Sequence, residues 1–189
     1  MEVSMNKRFV LCILLVMILV FSHAALFARG FGNIAIGAQA GFIATGIVVD
    51  IDLGPIALNA GVNYPLGWTY IAALAGGSAA AFPALFTVTA DVTAPFPLGE
   101  DFMLKLGANT VAFTDFQAGI IGIAGACIKG EYWIPNRNYG LFVNLNVPVM
   151  AYGVIGELTG DDTASGMFFD PALPLLGLFT TTAGVLWSF

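Results

Sequence analysis

Histidine and cysteine are almost missing from this chain, and charge is scarce. One histidine and two cysteines occur in 189 residues, and only 10% of residues are charged. An ordinary soluble domain carries about 25% charge. His23 and Cys12 both fall in the first 24 residues. There Lys7 and Arg8 precede an apolar run from Phe9 to Phe21, and Ser22 and Ala24 offer small residues at the −3 and −1 positions. This is the pattern of a secretory signal peptide over 1–24, removed on export. Cleavage after Ala28 is the rival, Met5 is an alternative start, and an uncleaved membrane anchor is the plainer reading. Cys12 lies inside the apolar run, so a lipoprotein signal is not expected. The remaining residues, 25–189, are expected to form one domain with a single cysteine, Cys127, and no internal disulfide. They offer no Cys/His set for a metal, and neither a metal nor a cofactor is expected. Their four basic residues, Arg29, Lys105, Lys129 and Arg137, stand against eleven acids, the twelve of the whole chain less Glu2. Binding a polyanion calls for the opposite balance, so no nucleic-acid partner is expected.

Apolar surface is what the chain has in quantity. It is 58% hydrophobic, with mean hydropathy +0.88. Such a composition suits a membrane, where only helices or closed barrels satisfy every backbone group. The period chooses between them. In Ala84 to Ala94, "ALFTVTADVTA", every even position is apolar and four of the five odd ones are polar. "IALNAGVNY" and "LFVNLNVPV" alternate in the same way. A period of two marks a strand with unlike faces. Turn residues divide the chain into eight expected strands, near 32–42, 46–53, 56–64, 83–95, 101–113, 118–132, 139–150 and 176–189. Most reach the 9–11 residues that a tilted strand needs to cross a bilayer.

The connections sort into two kinds. Gly54-Pro55, "PLGE" from Pro97 and "PNRN" from Pro135 are tight turns. The connections near 43–45, 65–82, 114–117 and 151–175 lie at the other end, and two of them are long. Aromatics gather at the tight-turn end. Phe96, Phe102, Tyr132, Tyr139, Trp187 and Phe189 share the outward parity, as one rim of an aromatic girdle would. Phe42, Tyr64 and Trp68 suit the opposite rim. The last strand, "TTTAGVLWSF", places Thr181, Ala183, Val185, Trp187 and Phe189 on one face.

That terminal strand resembles the C-terminal recognition signal of bacterial outer-membrane barrels. Together with the leader, the alternation and the strand count, it makes the chain similar to the small eight-stranded members: the OmpA membrane domain, OmpX and OmpW. No motif diagnostic of one subfamily is present. The resemblance implies an all-β fold: a closed eight-stranded antiparallel up-and-down transmembrane β-barrel in the cell outer membrane. Its partners would be outer-membrane lipid and, during biogenesis, the barrel-assembly machinery reading Thr181 to Phe189. Short turns would face the periplasm and longer loops the surface.

Inward parity collects Asp50, Asp52, Asn59, Asn63, Asp91, Lys105, Asn109, Lys129, Asn144 and Asn146. Hairpin logic puts Asp50 opposite Asn59, and places Asp91 close to Lys105 as an ion pair. These groups either gate a narrow, porin-like channel or fill the interior. Filling is favoured, because eight-stranded barrels are just wide enough for side chains. Met103, Val111, Phe113, Ile121, Ile123 and Cys127 share the parity. They suit either a packed plug or a greasy lumen for a small apolar solute, as is suggested for OmpW-like proteins. No enzyme is expected: barrel enzymes of this kind rely on a catalytic histidine, and a general base near neutral pH is usually histidine. Asp161 and Asp162 sit in an acidic loop and read as solvated. "GGSAAA" lacks a phosphate-loop ending. The expected function is therefore a structural or surface-interaction barrel or a narrow channel. The alternative is a helical inner-membrane protein such as a small permease subunit, kept open by the uncharged 30–49 and 138–156 stretches.

Overall fold

The computed structural model describes residues 33–76, 85–116, 119–155 and 164–189. The expected signal peptide, most of "GGSAAA" and the Asp161–Asp162 pair lie outside the described residues. The described residues form nine strands: β1 (Ile34–Gly41), β2 (Thr45–Asp52), β3 (Ala57–Tyr64), β4 (Phe86–Pro97), β5 (Phe102–Thr114), β6 (Gly119–Trp133), β7 (Tyr139–Ile155), β8 (Ala164–Phe169) and β9 (Thr182–Ser188). β1 to β7 pair in sequence, and β9 pairs with both β7 and β1. The result is a closed ring of eight antiparallel strands. The uncharged 138–156 stretch that kept a helical reading open is β7. Among the described residues, no helix is long and apolar enough to cross a membrane.

The register defines the shape. One row of neighbours leaves β7 at Gly153 and passes through Ile121, Phe113, Thr87, Asn63, Gly46, Gln39 and Gly184. It returns to β7 at Phe142. Discounting one bulged residue, the ring closes with a stagger of ten residues. For eight strands this stagger tilts each by about 40° from the barrel axis. The bulge sits between Ala124 and Gly125, which pair with Met150 and Pro148 and leave Val149 over. Pro148 brings no N–H to a ladder, and bulges are where strands tolerate that loss. The bulge also reverses the parity of β7, so Ala151 rather than Met150 is buried beyond it.

Three short turns close one end. Gly54, Gly99 and Asn136 supply the positive φ that tight turns need, at +89°, +108° and +60°. At the other end the stagger leaves the outer part of β7 without β9 beside it. β8 pairs with it there, from Met150↔Phe169 to Ile155↔Ala164. The expected last strand, 176–189, is therefore shorter, and 151–175 is not a plain loop. Between β8 and β9 the chain makes a 3₁₀ turn, Leu173–Leu176, and a helical turn, Gly177–Thr180. Pro174, at the start of the 3₁₀ turn, fits a helical first turn and not a ladder. A nine-residue helix, α1 (Leu66–Leu74), follows β3.

Candidate functional site

The ring is polar inside and apolar outside. Ile36, Ile47, Val62, Val92, Leu106, Ile128, Val143 and Val185, one from each strand of the ring, are 39% to 64% exposed. Asp50, Asp52, Asn59, Asn63, Asp91, Lys105, Asn109, Lys129, Asn144 and Asn146 are buried within it. Asp50 lies opposite Asn59, the expected register. Phe102, Tyr132, Tyr139, Trp187 and Phe189 are exposed and Phe96 is half-buried. Thr181, Ala183 and Val185 face the same way as Trp187.

Toward the short-turn end, four charged side chains close the lumen. The Lys105 ammonium lies 2.9 Å from Asp50 Oδ1 and 2.7 Å from Glu131 Oε1. The Lys129 ammonium lies 2.6 Å from Asp50 Oδ2 and 2.9 Å from the same Glu131 Oε1. Cations and anions alternate around this ring, each side chain at most 1% exposed. Asn59 donates to Asp50 and the Trp133 indole N–H to Glu131. Lys129 also sits 4.7 Å from the centre of the Phe142 ring. Charges this deep persist only when paired and hydrogen-bonded.

The expected Asp91–Lys105 pair is corrected here. Asp91 lies opposite Asn109 and accepts from Asn144 Nδ2, while Lys105 lies opposite Pro95. β4 runs on to Pro97, and Leu98 N–H bonds Phe102 O across the turn. The turn is thus centred two residues farther on than expected, which slides every cross-strand pair by four. Glu131 was missed although it shares the parity of Lys129 two residues before it. That spacing was the available signal. The reach from Lys105 to Asp50 joins strands that are not neighbours, and no hairpin rule shows it. A second polar layer follows: Gln39 Nε2 donates to Asn63 Oδ1 and Thr89 Oγ1, and Asn146 Nδ2 donates to the Thr180 carbonyl.

Above these layers, at the loop end, opens a cavity of about 1030 Å³. Val111, Phe113, Ile121 and Ile123 form its barrel wall. On the side where β1 and β9 have ended, α1 and the 173–180 segment replace strands, with Trp68, Ile71, Leu173 and Phe179 facing the space. Phe42, at the tip of the β1–β2 connection, stacks edge-on against Phe179 with ring centres 5.4 Å apart. Two glycines permit this closure. A Cβ at Gly67 would run into the Phe42 ring, and one at Gly177 into the Asn146 carbonyl. Among the described residues, no charged side chain lines the cavity. Ligand pockets usually span about 300–1,000 Å³ with mainly apolar and aromatic walls. Compared with family models, curated proteins and solved structures, the chain matches none of them.

Proposed function

We propose that this protein is an integral outer-membrane β-barrel that binds a small apolar molecule in its loop-end cavity rather than conducting solutes through its lumen. The observation that carries this reading is an apolar cavity of about 1030 Å³ seated above a buried layer of four paired charges. An open pore would need water around those ammonium and carboxylate groups. The reversed polarity of the ring supports the membrane assignment, since a water-facing barrel would carry its charges outside. The leader pattern of 1–24 and the alternating run from Thr181 to Phe189 support export and outer-membrane assembly. The charge layer then acts as a structural plug at the periplasmic side, and the cavity faces the surface.

Titration of octanol into the protein refolded in lipid nanodiscs tests the binding function. Saturable binding is expected, and Val111→Trp, which fills the cavity from its wall, should abolish it while the barrel still folds. Equal octanol uptake by both variants and by empty nanodiscs would remove the proposal.

A further inference from the structure

The wall of the ring is not equally tall on all sides. β4 to β7 run for 12, 13, 15 and 17 residues. β9, β1, β2 and β3, which are neighbours in the ring, run for only 7, 8, 8 and 8. At a tilt of about 40°, strands of that length rise about 18–21 Å. The apolar band of an outer-membrane barrel is about 25 Å tall. On the short side α1 continues from β3, and the 173–180 segment leads into β9.

Both pieces suit contact with lipid. They are helical, and a helix satisfies its own backbone, as a lipid environment requires. Their polar groups turn back on the chain. The Gly67 N–H donates to the Phe42 carbonyl and the Thr69 hydroxyl to the Pro65 carbonyl. The Thr180 and Thr181 hydroxyls both donate to the Gly177 carbonyl. Each piece is apolar on two sides. Trp68 and Ile71 of α1, and Leu173, Leu176 and Phe179, line the cavity. Leu66, Tyr70 and Leu74, four residues apart, do not line it, nor do Leu175 and Leu178, and these five are 51% to 82% exposed. Residues 66–76 carry no charge, and residues 164–180 carry one, Asp170. A helix that is apolar all round belongs in a protein core or a membrane.

We infer that α1 and the 173–180 segment are lipid-contacting parts of the wall: their outer stripes, Leu66–Tyr70–Leu74 and Leu175–Leu178, lie against acyl chains of the outer leaflet and complete the belt that the four short strands leave low. The occupant is lipid because the missing height lies within the bilayer's own apolar band, directly above outward residues such as Ile47, Val62 and Val185. This inference rests on the proposed outer-membrane location and is independent of ligand binding.

Spin labels at Leu74→Cys and Leu178→Cys test it in protein refolded into dioleoylphosphatidylcholine vesicles. Cys127 is buried, so the introduced thiol is the one labelled in the folded protein. Val143→Cys, on the outer face of β7, is the lipid reference, and Arg137→Cys, in an exposed turn, is the water reference. Oxygen concentrates among acyl chains and a polar nickel chelate stays in water, so the ratio of their collision rates with the label reports the medium. Labels at 74 and 178 are expected to match Val143→Cys and to exceed the ratio of Arg137→Cys by about fivefold or more. Labels at both positions that match Arg137→Cys would place the stripes in water and overturn the inference. Labels shielded from both reagents would overturn it too, because a second copy or another part of the chain would then cover the stripes. Each variant should keep its heat-dependent gel mobility, and the two positions lie on separate elements, so either one reports if the other fails to fold. A water-like ratio at Val143→Cys would instead remove the outer-membrane reading itself.

Discussion

Lys129 touches Asp50, Glu131 and the Phe142 ring at once. Its removal would leave two carboxylates sharing one ammonium, with each remaining side chain at most 1% exposed and the surplus charge buried. Lys129→Met is therefore expected to destabilise the barrel by about 3–5 kcal/mol, read as a lower urea midpoint for unfolding from micelles. The double variant with Glu131→Leu should recover most of that loss, because it removes the orphaned anion as well. A smaller case lies on the outer face. Tyr152 crosses Gly122, where a Cβ would strike its ring, and its hydroxyl lies 2.6 Å from Thr110 Oγ1. Thr110 also donates to the Ile123 carbonyl. Tyr152→Phe should cost about 1 kcal/mol by the same unfolding measurement. Which of these residues faced inward was legible from parity in β2 to β5. It was not legible for Tyr152, because the bulge at Val149 had already reversed the alternation.

Strands and helical segments differ in how far local sequence specifies them. β3 and β4 repeat apolar and polar residues without a fault, and their expected bounds stand within about three residues of those observed. α1 was hidden in a connection expected to be a loop. Its apolar residues follow no strand period, and its packing depends on Gly67 meeting Phe42 from another connection. The 173–180 segment overlaps the expected last strand, 176–189, and is helical instead. Pro171 and Pro174 argued against a ladder, but the partner that holds the segment, the Asn146 side chain on β7, lies 34 residues from Thr180. These two pieces close the cavity. Gly67→Val and Gly177→Val should each displace one piece. Octanol affinity is expected to fall by about tenfold or more, since the wall loses aromatic contact area, while the eight-stranded ring keeps its heat-resistant mobility on a gel. Loss of folding in both variants would show instead that the segments are integral to the ring.

At the scale of the whole molecule the decisive property is the side on which polarity lies. Trp187 is 57% exposed on the outer face and Trp133 is 4% exposed within the ring. Brominated lipids should therefore quench Trp187 strongly and Trp133 weakly, when each is kept as the sole tryptophan. Equal quenching would contradict the proposed membrane orientation. The plug makes a further prediction. In planar bilayers the protein should give no unit conductance, and Lys105→Ala should not create a stable one, because Lys129 and the Gln39–Asn63–Thr89 layer still close the lumen. Steady ionic currents through the native protein would replace the plug with a channel.

Alternation by itself determined that the chain forms strands, how many close the ring, and which face is polar. Those are properties of residues two apart, and side-chain direction in a strand repeats with that period. Tertiary structure alone decided which charges meet and where the cavity lies. Lys105 reaches Asp50 over 55 positions and Lys129 reaches it over 79. The ten-residue stagger ends β1 and β9 below the rim, so that helices must complete the wall. Contacts of that kind depend on ring closure, turn centres and a bulge, and none of these is carried by the local period.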